Sequence, residues 1–180
     1  MATDQHLPSH RSSKSPRRMP DQLNIGKLHA GTLIHPIVQY NEYANAFPDE
    51  RSVMGYRLPS WQRGLVWSRD QQIRFVESAW LGIPLGTWTY NIVPDGTNHP
   101  FDFLLIDGQQ RLTALQTYLE DGFAVFGYRW SETTTIDQRL FRQNTKFPCY
   151  ITETTDKNYL REYYNLLNFG GTAHLKHQRA

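Results

Sequence analysis

Large apolar side chains along the chain fall into short strand-like runs and helix-period stripes. Ile37-Val38-Gln39-Tyr40 has the β-branched and aromatic content of a strand. Residues 41–55 are polar, contain Pro48 and Gly55, and read as a loop or a short irregular helix. Tyr56 to Trp67 carries Pro59 and Gly64, which favour an extended, turned path. Ser68 and Gln71 have the spacing of a capping box, and Ile73, Val76 and Trp80 then recur on one helical face until Gly82 and Pro84.

Thr87 to Val93 and Phe101 to Ile106 read as strands separated by the turn signal Asp95-Gly96. Asp107 is placed to cap the next helix, with Gln110 three residues on. Leu112, Leu115 and Leu119 mark that helix's buried stripe, and Gly122 ends it. Phe123 to Tyr128 and Phe147 to Ile151 read as two more strands. A last helix from about Asp156 to Leu167 is expected to bury Leu160, Tyr163 and Leu167. Strands alternating with helices predict one small α/β (α+β) domain, a mixed sheet flanked by helices.

The chain's 180 residues suit one domain, which at this size buries roughly 70% of the surface its unfolded form exposes. Residues 1–22 hold few large apolar side chains and read as a flexible basic arm. The globular pattern occupies 23–175, and 176–180 form a basic tail. The overall charge of +2 is uneven. Arg11, Lys14, Arg17 and Arg18 against Asp4 make the first 20 residues +3, which leaves the rest at −1. The arm therefore has the electrostatics to meet nucleic-acid phosphates, while the folded part lacks a bulk basic surface.

A single Cys149 excludes a disulfide framework and fits a buried, inert thiol. No apolar run approaches the roughly 20 residues of a membrane span, and no signal peptide is present, so a cytoplasmic protein without membrane contact is expected. His174 and His177 lie beside Lys176 and Arg179 and read as part of a basic terminus. The phosphate loop, the dinucleotide glycine motif, H-E-x-x-H, C-x-x-C and G-x-S-x-G are all missing.

Two segments carry candidate chemistry: Gln62-Arg63 within P-S-W-Q-R-G, and Asp107-Gly108-Gln109-Gln110-Arg111. In the second, a strand ends, a glycine turns the backbone, and a helix N-terminus follows. Such an end offers free N–H groups and a positive dipole to an anion. Gln109 and Gln110 add amide donors, Arg111 can grip phosphate with its fork, and Asp107 can hold Mg²⁺ or orient water. The plainer alternative is a capped helix whose Arg111 pairs with a surface acid. For the first segment, the alternative is packing, with Trp61 and Trp67 as core or rim aromatics and Arg63 extended along them.

The segments P-S-W-Q-R-G-L-V-W, E-S-A-W-L-G-I-P-L-G, L-L-I-D-G-Q-Q-R-L-T-A-L and Y-Y-N-L-L-N-F-G-G-T-A-H occur in the order seen in one family. Over about residues 23–175 the chain resembles the N-terminal domain of GmrSD-type modification-dependent restriction endonucleases. That family also includes phosphorothioate-sensing restriction proteins. The resemblance implies a wider kinship with the ParB/sulfiredoxin fold, in which Gln62-Arg63 takes the place of a proline-glutamine-arginine segment and Gly108 to Arg111 that of a turn that contacts nucleotide phosphates.

It further implies a nucleotide-binding, NTP-hydrolysing regulatory or sensing domain. Asp107 and Gln110 would act on the reaction. Gln62, Arg63, Gly108, Gln109, Gln110 and Arg111 would bind phosphates, with Asn168, Gly170 and Gly171 closing the site. The implied cofactor is Mg²⁺ on Asp107 with a nucleoside triphosphate of unspecified base. The implied partners are DNA and a separate nuclease subunit or a full-length relative, because no HNH-type pattern and no helix-turn-helix reader are found in these residues. Sulfiredoxin-like chemistry would need a cysteine on the turn, where Gln109 stands. A non-catalytic nucleic-acid- or protein-binding module that keeps the fold is the open alternative.

Overall fold

In the computed structural model, residues 27–94 and 99–169 are described. The first elements are β1 (Lys27–His29), α1 (Ile34–Tyr43), the short strands β2 (Ser52–Val53) and β3 (Tyr56–Arg57), and α2 (Arg69–Trp80). Then come β4 (Trp88–Ile92), β5 (Leu104–Asp107), α3 (Gln109–Leu119), a 3₁₀ turn (Trp130–Glu132), α4 (Thr135–Asn144), β6 (Cys149–Glu153) and α5 (Lys157–Phe169). The six strands form one mixed sheet in the order β1-β6-β4-β5-β3-β2. The β4–β6 and β3–β5 pairs are parallel, and the others antiparallel. This is a single small α/β domain, as the alternation of elements predicts.

Strand alternation sorts the side chains into two layers. Trp88, Tyr90, Leu105 and Cys149 join Ile37, Val76, Leu112, Leu115, Tyr118 and Phe141 in the main core, under α1 to α4. Leu104 and Ile106 face the other way and pack on Leu160, Tyr163 and Tyr164 of α5. Asn91 lies on the α5 side of β4, fully buried, with its amide completely used. It donates to the carbonyls of Phe101 and Thr154 and accepts from Thr152 Oγ1 and Thr154 N. A buried amide with all its bonds made ties the ends of β4 and β6 to the segment before β5.

The capping box forms as predicted: Ser68 Oγ accepts from Gln71 N at 3.3 Å, and Gln71 Oε1 accepts from Ser68 N at 2.8 Å. Ser68→Ala is expected to cost about 1 kcal/mol, read as a shift of the urea midpoint at unchanged slope.

Several elements differ from the sequence pattern. Residues 37–40 lie in α1, not a strand. Pro36 falls in the helix's first turn, where its missing N–H has no partner to lose, and Ile37 packs into the core. Phe123 to Tyr128 is a tight turn closed by Val125 and Tyr128, with Phe126 at φ +52° and Gly127 at φ +86°. β5 begins only at Leu104 because Phe103 sits at φ +50° and breaks the extended run.

In α5 the buried side chains are Leu160, Tyr163 and Tyr164, while Leu167 is 45% exposed. α4 has one buried residue, Phe141, while Ile136 and Leu140, one turn apart on it, stay 62% and 43% exposed. The basic arm, Asp95-Gly96, Gly170, Gly171, His174 and His177 lie outside the described residues. Among the described residues, no helix is long and apolar enough to cross a membrane.

Candidate functional site

The turn after β5 is built around Gly108. Its φ of +101° suits glycine, and a Cβ there would lie 2.6 Å from the Trp88 Cβ. Gly108 is the N-cap of α3, so Asp107 does not cap the helix and no side chain covers its first N–H groups. Asp107 instead accepts from Arg111: Nη2 lies 2.5 Å from Oδ2, one helical turn apart. The acid expected on the surface opposite Arg111 is thus the motif's own first residue. Oδ1 of Asp107 has no hydrogen-bond donor among the described residues.

The two candidate segments meet. A pocket of about 200 Å³ is lined by Gln62 and Arg63 from one, by Asp107, Gly108, Gln109, Gln110 and Arg111 from the other, and by Trp67, Tyr164 and Asn168. Gln110 joins them. Its Oε1 accepts from Val66 N at 3.1 Å and Trp67 N at 3.2 Å, and its Nε2 donates to Gly64 O at 3.2 Å. Both ends of the amide are spent on the 64–67 backbone, so Gln110 positions the arginine loop against α3. Tyr164 Oη accepts from Arg63 N at 3.4 Å, and Asn168 Nδ2 donates to Tyr164 O at 2.9 Å, so α5 closes the third wall.

The pocket's charges are Arg63, Arg111 and Asp107, a net +1. Arg63 is exposed and its guanidinium has no hydrogen-bond or ion-pair partner among the described residues. Gln62 is 7% exposed, and its Oε1 is buried without a partner. A buried amide oxygen left unpaired is costly in a folded protein, which marks Gln62 as a group held for something other than packing. Behind the pocket, burial holds the Tyr163 phenol above its usual range, with a smaller contribution from the Asp107 charge. It therefore stays a neutral phenol at physiological pH.

Trp67, Tyr164 and Gly86 are site residues that the sequence pattern did not assign. Gly86 lies at φ +76°, and a Cβ there would stand 3.0 Å from Arg111 Nη1. The only signal for it was its place at the end of the I-P-L-G run. Gly86→Ala is expected to cost about 1 kcal/mol of stability through its backbone conformation and to displace the Arg111 guanidinium. Denaturation reads the first effect and the Arg111 side-chain NMR signals read the second.

Asp107 is the one carboxylate lining the pocket, and the described residues hold no group of three or more His, Cys, Asp or Glu that would cage a metal alone. A single carboxylate still fits Mg²⁺, which takes one or two carboxylates and completes its shell with ligand oxygens and water.

No curated protein and no solved structure matches the chain. The family model for the GmrSD restriction endonuclease, N-terminal domain, matches residues 43–169. That span holds every described wall of the pocket. The chain belongs to the family of GmrSD restriction endonuclease N-terminal domains, and through it is related to restriction systems.

Proposed function

We propose that this domain binds a nucleoside triphosphate with its phosphates in the Arg63–Arg111 pocket, hydrolyses it, and uses that cycle to regulate or sense for a DNA-restriction system. One observation carries the reading: an uncapped helix N-terminus, two arginines and an unpaired buried amide face a single pocket. Together they support an anion site with hydrogen-bonding capacity to spare. Trp67 and Tyr164 add aromatic surface beside it.

In this reading the first N–H groups of α3 cradle the phosphates, and Arg63 and Arg111 neutralise charge as it shifts to the leaving group. Gln110 keeps the arginine loop in place. Oδ1 of Asp107 is the oxygen left to align water or to hold Mg²⁺. When bound there, Mg²⁺ would supply further charge neutralisation on the phosphates. The wider ParB/sulfiredoxin kinship rests on motif order. DNA contact through Arg11, Lys14, Arg17 and Arg18, a separate nuclease partner and a cytoplasmic setting belong to the same proposal.

The test is calorimetric titration with each of the four ribonucleoside triphosphates and Mg²⁺, with phosphate release followed in parallel. Saturable binding that Arg63→Ala weakens, with turnover, is the expected result. Binding without turnover would reduce the role to a switch. No binding of any triphosphate would end the reading in favour of a non-catalytic binding module.

A further inference from the structure

A second cavity, of about 360 Å³, lies at the opposite end of α3 and shares no lining residue with the phosphate pocket. Trp80 and Tyr118 line it from the ends of α2 and α3, Phe126 and Tyr128 from the tight turn, and Glu132 and Asp137 from the segment entering α4. Trp80 and Tyr118 are fixed. Trp80 Nε1 donates to Tyr118 Oη at 3.1 Å, and the Trp80 ring packs on Phe141 with centroids 4.4 Å apart.

Phe126 and Tyr128 are the opposite case, at 56% and 61% exposed. Among the described residues neither ring meets another ring or a cation. Phe126 is also held at φ +52°, a conformation that a bulky side chain adopts only at a cost in backbone strain. Glycine or asparagine would suit that turn better, so the aromatic ring is kept there against local preference.

Both carboxylates on the cavity are exposed and lack a cationic partner. Glu132 Oε2 accepts from Arg129 N and Asp137 Oδ2 from Thr134 Oγ1, both neutral donors. Neither acid has an ion-pair partner among the described residues, and no Lys, Arg or His lines the cavity.

Aromatic faces carry negative potential, so the rings of Trp80, Phe126 and Tyr128 and two carboxylates without ion-pair partners favour positive charge in the space between them. The acids disfavour an anion, and a purely apolar ligand makes no use of their charge. A bare divalent ion would need several oxygen ligands, which ring faces do not give. What remains is a cation clothed in alkyl groups. We propose that this cavity is a binding site for an organic cation of the alkylammonium class.

The test compares choline with its neutral carbon isostere, 3,3-dimethylbutan-1-ol, by NMR of the tryptophan indole N–H signals. Choline is expected to shift the Trp80 signal with millimolar affinity, and the isostere to bind at least about tenfold more weakly. Glu132→Gln with Asp137→Asn should remove that preference. Phe126→Asn should weaken choline binding by a similar factor while leaving the melting temperature unchanged or higher, because asparagine tolerates the left-handed backbone. Equal binding of the two probes would overturn the proposal. So would a Trp80 signal unmoved by choline at about 50 mM, well above the expected dissociation constant. Neither probe depends on nucleotide, so the outcome is separate from that of the phosphate pocket.

Discussion

Gly108→Val is expected to lower the stability of the domain by about 3–5 kcal/mol, the largest single effect among the substitutions considered. Two independent costs meet at this position. A β-branched residue at φ +101° is strained wherever it stands. The new Cβ would also lie 2.6 Å from the Trp88 Cβ, and Trp88 has no room to retreat. Its side chain is fully buried, with ring centroids 5.1 Å from Tyr56 and 5.2 Å from Tyr90. Overpacking of that kind costs about 1–3 kcal/mol, and the backbone term adds a comparable amount.

Gly82 separates the two terms. It has φ +71° but nothing within 4 Å of an added Cβ, so Gly82→Ala should cost only about 1 kcal/mol. Urea unfolding of Gly108→Val, Gly108→Ala and Gly82→Ala measures this directly. A loss under about 1 kcal/mol in Gly108→Val would mean that the turn relaxes, and that its geometry is not fixed by Trp88.

The same turn shows how much of the site was legible in sequence. Asp107 to Arg111 was readable because a strand, a glycine and an amide-rich helix start leave few other structures for the chain. What Asp107 bonds was not readable. A capping role and an ion pair with Arg111 both use the same short spacing, and Gly108's left-handed conformation decides between them. Gln110 illustrates a second limit. Its contacts reach residues 64–67, more than 40 positions away, and no local pattern reports a clasp of that kind.

The fold divides in the same way. α2 and α3 carry dense apolar stripes, and α2 a true capping box, so both were visible. α1 was not, because Ile37 and Val38 are β-branched neighbours and only tertiary packing makes their segment a helix. α4 was not assigned, because Ile136, Leu140 and Phe141 make only a short apolar pattern, of which the fold buries Phe141 alone. The two-residue strands β2 and β3 are shorter than any alternation that could announce them.

Arg111→Ala is expected to weaken triphosphate binding by about 2–3 kcal/mol, roughly 30- to 160-fold, the loss typical of a charge-assisted hydrogen bond to a phosphate. The geometry makes this substitution more than the removal of one donor. In the folded domain Arg111 neutralises Asp107 across 2.5 Å, so alanine leaves a carboxylate facing the phosphates without its cation. Part of the loss should therefore be repulsion, and a double-mutant cycle isolates it. Arg111→Ala combined with Asp107→Asn should bind more tightly than Arg111→Ala alone. Asp107→Asn alone should keep most of the affinity and lose turnover, because it frees the guanidinium and removes the negative charge with which the carboxylate aligns water or holds the metal. Arg111→Lys should recover only part of the binding, since an ammonium cannot reproduce the planar two-pronged fork of the guanidinium. Titration calorimetry with the best-binding triphosphate from the four-nucleotide screen gives each affinity. Equal affinities in Arg111→Ala and in the double variant would show that Asp107 does not face the phosphates, and would remove it from the proposed mechanism.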